Sequence, residues 1–367
     1  MKTLLKKDPV LFIAMVLSIF SSFAVPPNMG YLNYIDFRTL ILLFCFMAVM
    51  EALKGIGAFE RLSLSLLSRA GSRRLIVLIL VFLSFFSSML LTNDVALITF
   101  VPLAFISLER VGMRRDIGMV VVLMTIGANL WSALTPVGNP QNLYLYSIFG
   151  LGLMEFLKIT FPIVGFSGII IFVGCLLIKN GKIDRAERGG VQVNKSDLRD
   201  YLIVFAVCLL CVIFNVNLKG LIFLLILVLG VIIIKDKKVL KGVDYSLLLT
   251  FTFFFIFVGN ISKIEAFNSF LKGIIDGREA AVAIVSSQVI SNVPAALLLS
   301  GFTDNIKGLI IGTNVGGLGT LIASMASLIS YKLFVKAYPE EKGSYLKIFT
   351  VYNIIGLALL LLFLIIC

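Results

Sequence analysis

Histidine is absent from the 367 residues, and only 14% of them are charged. Without histidine the chain lacks the commonest general base and the commonest metal ligand. Cysteine does not take its place: Cys45, Cys175, Cys208, Cys211 and Cys367 all lie in apolar runs, and the CxxC of Cys208 and Cys211 has no second ligand pair nearby. No acidic cluster has metal-ligand spacing and no nucleophile stands beside a base. A membrane-embedded enzyme is therefore disfavoured, and no cofactor is expected. Acidic residues are also scarce, 20 against 32 Lys and Arg, a net charge of +12. A nucleic-acid-binding chain would gather that charge into one stripe. Here it falls in short loops between apolar runs and reads as a topology signal.

What the chain has in quantity is apolar sequence, 59% of residues, well above a soluble domain's share. Apolar runs recur from residues 10–25 to 348–367, and at roughly 20 residues per span the length suffices for about ten. The expected class is an all-α, multi-pass protein of the cytoplasmic membrane. The first run follows Lys2, Lys6 and Lys7 without a small-residue cleavage site and reads as a retained helix. Basic residues gather before residue 8 and in stretches 54–74, 110–115, 179–199, 235–241 and 332–347. Those stretches are assigned to the cytoplasm, with the N-terminus inside and the C-terminus outside. Residues 54–70 alternate basic and apolar faces and read as an amphipathic surface helix.

An internal repeat organises the rest. "IDFRTL" at 35–40 matches "VDYSLL" at 243–248, and "GAFERL" at 57–62 matches "EAFNSF" at 265–270. "LLTNDVALITF" around Asn93 matches "VISNVPAALLL" around Asn292. "IGANLWSALTPVGN" matches "IGTNVGGLGTLIAS", aligning Asn129 with Asn314, Thr135 with Thr320 and Asn139 with Ser324. The first repeat is placed at 1–178, with a re-entrant hairpin at 75–108 and a broken helix at 117–154. Residues 179–219 hold a cytoplasmic loop and a connecting span. The second repeat occupies 220–367, with a hairpin at 280–303 and a broken helix at 309–335. The loop charges make the two repeats inverted, an arrangement typical of secondary transporters.

The helix breaks are the candidate chemistry. Only nine prolines occur in the chain, yet Pro136 and Pro140 fall within "TPVGNPQN" together with Gly138. They release backbone carbonyls that would suit sodium, the one metal ion expected here. Gly316, Gly317 and Gly319 break the second helix. Asn93, Asp94, Gly138 and Asn139 are the candidate first cation site. Asn292, Asn314, Gly319 and Thr320 are its counterpart. Substrate is placed between the tips, on Thr92, Asn93, Asn139, Ser291, Asn292 and Thr320. Asp94 is the one carboxylate at the centre of an intramembrane element, where an ionisable group is a functional candidate.

At these residues the chain resembles the ion transporter superfamily of arsenite permeases, citrate-type carriers, divalent anion sodium symporters and one group of sodium/proton antiporters. "TNDVALITFVP" is similar to the arsenite-permease and citrate-carrier form of the first hairpin, and "TPVGNPQN" to the superfamily's first break. "ISNVPAALLL" and "GTNVGGLGTLIASMASLISY" resemble the second pair. The resemblance implies an elevator-type homodimeric carrier in a lipid bilayer that moves a small anion with Na+ or H+, or a sodium/proton antiporter. Dicarboxylate symporters carry serine-asparagine-threonine at both tips. Here the tips read Thr92-Asn93-Asp94 and Ser291-Asn292-Val293, which leans towards proton coupling or a different ion site.

Overall fold

The computed structural model describes residues 8–68, 70–182 and 192–366. Lys2, Lys6, Lys7, Arg69, Arg185, Arg188 and Cys367 lie outside the described residues. Within them run seventeen α-helices and no strand, apart from an isolated bridge between Ser72 and Lys182. The helices are α1 (Pro9–Ala24), α2 (Phe37–Gly55), α3 (Ala58–Leu67), α4 (Arg73–Leu91), α5 (Asn93–Arg110) and α6 (Ile117–Trp131). There follow α7 (Pro140–Ile148), α8 (Leu153–Leu176), α9 (Lys195–Ile213), α10 (Leu218–Asp236), α11 (Tyr245–Ile261) and α12 (Glu265–Ile275). The last five are α13 (Glu279–Ile290), α14 (Asn292–Leu299), α15 (Ile306–Val315), α16 (Met325–Ala337) and α17 (Lys342–Ile366).

Among the described residues, five helical stretches are long and apolar enough to cross a membrane, and two bent helix pairs bring the number to seven. This is a multi-pass membrane protein. The bent pairs are α2 with α3, at 57°, and α11 with α12, at 105°. The amphipathic stretch around residues 54–70 is therefore α3, folded off its span where Gly57 takes a φ of 74°. Polar caps punctuate the apolar sequence. Asp36 and Asp244 start α2 and α11 with nearly the same backbone angles, each accepting from the amide three residues on. Such caps satisfy donors that the first turn of a helix leaves open.

α1 packs along α11 and α10 along α2, with α9 laid against α2. Elsewhere α4 packs on α6, α13 on α15, and α5 on α16. Polar contacts between loops fall into two sets. In one, Arg74 donates to the carbonyls of Leu176 and Ile178, and Tyr338 donates to Glu109 at 2.8 Å. Arg114 pairs with Glu341 at 3.6 Å, and Lys235 with Asp197 and Asp200 at 2.7 Å. Each of these contacts joins segments in or next to the basic stretches. In the other set Arg38 bonds Asn215, Asn260 donates to Tyr31 at 2.9 Å, and Asn305 donates to Glu279 at 3.0 Å.

One difference from the sequence expectation is local. The broken helix expected over 117–154 ends at Ile148, and residues 149–152 form the turn into α8. The hairpins are unequal, as their expected bounds are: α4 and α5 have 19 and 18 residues, α13 and α14 only 12 and 8.

Candidate functional site

Each hairpin turns on one non-glycine residue with positive φ. Thr92 has φ 72° and ψ 147°, Ser291 φ 73° and ψ 153°. This conformation is costly for a residue with a Cβ and persists only where surrounding contacts impose it. Those contacts come from the breaks. The Asn93 amide donates to the Gly138 carbonyl at 3.2 Å, and the Asn292 amide to the Ala323 carbonyl at 3.0 Å. The next residue caps the resumed helix in both cases. Asn139 accepts from the Asn142 amide at 2.9 Å, and Ser324 from the Ala326 amide at 3.2 Å. The N-termini of α5 and α7 thus meet at the first tip, and those of α14 and α16 at the second. Helix N-termini present unpaired N–H groups and partial positive charge, which favours an anion.

The two breaks are tied together by an exchange of side-chain hydrogen bonds. Asn129, in α6, accepts from Ser324 at 2.7 Å and donates to Ser327 at 3.3 Å, both beside the second break. Asn314, in α15, accepts from Asn139 at 3.1 Å and donates to Asn142 at 2.7 Å, both beside the first. Asn129, Asn139, Asn142, Asn314, Ser324 and Ser327 are all buried, where an unmade bond costs about 1–3 kcal/mol. Asn129 also accepts from the Asn93 amide at 3.0 Å, which fixes the first tip.

Of the residues singled out in the sequence, the structure brings Asn93, Asn139, Asn314 and Gly138 into this network. Thr92, Ser291 and Asn292 sit at the tips. Thr320 stands apart: it is exposed, and its hydroxyl donates to the Gln288 carbonyl at 3.0 Å. Thr135 makes the matching bond to the Met89 carbonyl, so both threonines clamp the last turn before a tip. Pro136 and Pro140 are buried in the first break, and Pro140 opens α7. Gly138 is required sterically, since a Cβ would lie 2.1 Å from the Ser132 carbonyl oxygen. Gly319 has a φ of 110°, and a Cβ there would meet the Gln288 Oε1 at 2.2 Å. Gly316 packs on Ser287 and Gly317 on the Asn292 amide.

Asp94 follows the first tip. Its backbone amide donates to the Asn93 Oδ1 at 3.0 Å, but its own Oδ1 is hidden with no hydrogen-bond partner. Among the described residues no Lys or Arg pairs with it.

The breaks free fewer carbonyls than their prolines and glycines suggest. Gly138 and Ala323 receive tip amides, Ala133 receives the Asn142 side chain at 3.3 Å, and Gly316 and Leu318 receive Gln288 at 3.0 and 2.9 Å. Buried carbonyls need donors, and the chain supplies them from within. Asn129, Asn142, Ser327 and Gln288 are the residues that sequence reasoning passed over. For Asn129 the signal was present, because the repeat aligns it with Asn314. Ser327 and Asn142 follow Ser324 and Asn139 by the same three positions.

The citrate transporter family model matches residues 3–307. An uncharacterized transporter of Methanocaldococcus jannaschii is 33% identical over 308 residues, 83% of either chain. The inner membrane protein YbiR of Escherichia coli is 30% identical over 305 residues, 82% of this chain and 80% of that one. A putative transporter arsB of Dictyostelium discoideum is 26% identical over 150 residues, 40% of this chain and 26% of its own length.

Proposed function

Because the chain belongs to the citrate transporter family, we propose that it is a secondary carrier of a small anion or oxyacid, of citrate, dicarboxylate or arsenite type, coupled to Na+ or H+ across the cytoplasmic membrane. The observation that carries this reading is the exchange of bonds between Asn129 and the second break and between Asn314 and the first. It holds two hairpin tips and four helix N-termini around one region between the two halves. That region offers N–H groups and amides to an anion and one acid to a cation. Thr92, Asn93, Asn139, Ser291 and Asn292 face the anion, and Asp94 with Asn93, Asn139 and the Gly138 carbonyl holds the coupling ion. The halves act as inverted repeats, with the hairpins and broken helices moving against α1, α2, α9, α10 and α11 in a homodimer. The basic stretches lie in the cytoplasm, following the charge rule for membrane loops.

The second reading is a sodium/proton antiporter of the same superfamily. It is favoured by the unpaired Asp94 oxygen, which has no cationic side chain beside it among the described residues. Thermal stabilisation of the detergent-purified protein separates the two. A ligand that binds only the folded state raises its apparent stability. Citrate, succinate, malate, sulfate, phosphate and arsenite are each tested in sodium and in potassium buffer at two pH values. A shift produced by one anion and enhanced by sodium or by acid supports the carrier. A shift with sodium alone, indifferent to every anion, supports the antiporter.

A further inference from the structure

The two breaks are built on one plan but differ in what their carbonyls receive. At the second, the Gln288 Nε2 lies 3.0 Å from the Gly316 carbonyl, 2.9 Å from the Leu318 carbonyl and 3.2 Å from that of Ile284. One NH2 group, with two protons, is thus ringed by three backbone oxygens. The Gln288 Oε1 accepts from the Thr320 amide at 2.9 Å, which fixes the amide's orientation. The backbone is shaped to admit it. Gly319 has φ 110°, and any Cβ there would collide with the Gln288 side chain. At the first break the Thr135 hydroxyl bonds the Met89 carbonyl as Thr320 does that of Gln288, so Met89 is the structural counterpart. A methionine thioether donates no hydrogen bond.

Carbonyl oxygens converging on one point are the ligand set of a hard cation, and a primary amide presents partial positive charge to the same oxygens. We infer that the Gln288 side chain takes the place of a cation in the second break. Coupling is thereby confined to one ion per cycle at the first tip. The inference rests on the carrier reading above and narrows it: the counterpart set of Asn292, Asn314, Gly319 and Thr320 holds no ion while Gln288 is present. Thr320 and Gly319 act on Gln288, as clamp and as clearance.

The test measures binding of radioactive sodium to the full-length purified protein by equilibrium dialysis, for wild type, Gln288→Met and Gln288→Glu. Gln288→Met copies the first half and keeps the side chain's length. Gln288→Glu keeps its shape and replaces the donor with an anion. The expected result is one more sodium per chain in each folded variant than in wild type, with the Glu variant binding more tightly than the Met variant. The gain should persist when Asp94→Asn is added. Folding is checked by the melting transition, and if one variant does not fold the other decides. Equal stoichiometry in wild type and folded variant overturns the inference, as does a wild type that already binds two sodium ions. Neither result bears on whether an anion is carried, because no anion is present in the assay.

Discussion

The two tips share a backbone and differ in chemistry. Thr92 and Ser291 adopt the same angles to within a few degrees, and the next amide in each crosses to the break opposite. Beyond that point they part. The first tip continues into Asp94 with its Asn93 amide pinned to Asn129 at 3.0 Å; the second continues into Val293. Among the described residues the Asn292 side chain receives only the Ser291 hydroxyl, at 3.5 Å. A duplicated scaffold thus presents an acidic, fixed tip and an apolar, looser one. Position in the repeat sets the backbone geometry, while the residue after the tip, Asp94 or Val293, sets whether that half carries an acid there.

Substitutions that exchange or erase this contrast test it. The largest effect is expected at Asp94. On the carrier reading Asp94 meets the coupling ion, and losing one partner of a desolvated charge pair costs about 2–5 kcal/mol, so Asp94→Asn should lower ion-driven uptake by roughly a hundredfold and leave the melting temperature nearly unchanged. Val293→Asn, which alters the same position of the second tip, should leave the ion dependence intact. Next come the glycines. Gly138→Ala drives a Cβ to 2.1 Å from the Ser132 oxygen and should destabilise the fold by about 3 kcal/mol or more. Gly317→Ala approaches the Asn292 amide at 3.1 Å, and should cost about 1 kcal/mol. Thermal melting of the two variants side by side reads the difference.

The amide exchange is expected to give a smaller asymmetry. Asn129→Ala strands Asn93, Ser324 and Ser327 and should cost about 3 kcal/mol, against about 2 kcal/mol for Asn314→Ala, which strands Asn139 and Asn142. Chemical denaturation of the reconstituted protein gives both values. Asn129→Ala should also weaken ion binding more than Asn314→Ala does, since it releases Asn93 of the first tip itself. The smallest effects belong to the threonine clamps. Thr135→Val should cost about 1 kcal/mol and the exposed Thr320→Val about half as much.

Much of this was legible in the sequence. The duplicated "TND" and "SNV" tips, the proline break and the glycine break named the segments that meet, because polar turns within apolar sequence need a partner in the protein interior. Composition could not rank the helices by position. The stretch Arg114–Leu134 is 83% buried and Leu218–Gly242 only 22%, yet both pass the same apolar test. Lipid and protein interior ask for similar side chains, so hydropathy does not separate a central helix from one at the rim. Gln288 was invisible for another reason. It lies one turn before its tip, in an otherwise ordinary apolar helix, and two of its bonds go to carbonyls of a break some thirty residues on, at Gly316 and Leu318. Nothing local to residue 288 announces them.

The most direct test of the central claim is uptake into proteoliposomes of labelled citrate, succinate or arsenite, driven by an inward sodium gradient or by an acidic exterior, with Asp94→Asn in parallel. One of these anions should accumulate above equilibrium only with its driving gradient, and Asp94→Asn should abolish accumulation. Gradient-driven accumulation that survives unchanged in Asp94→Asn would contradict the claim.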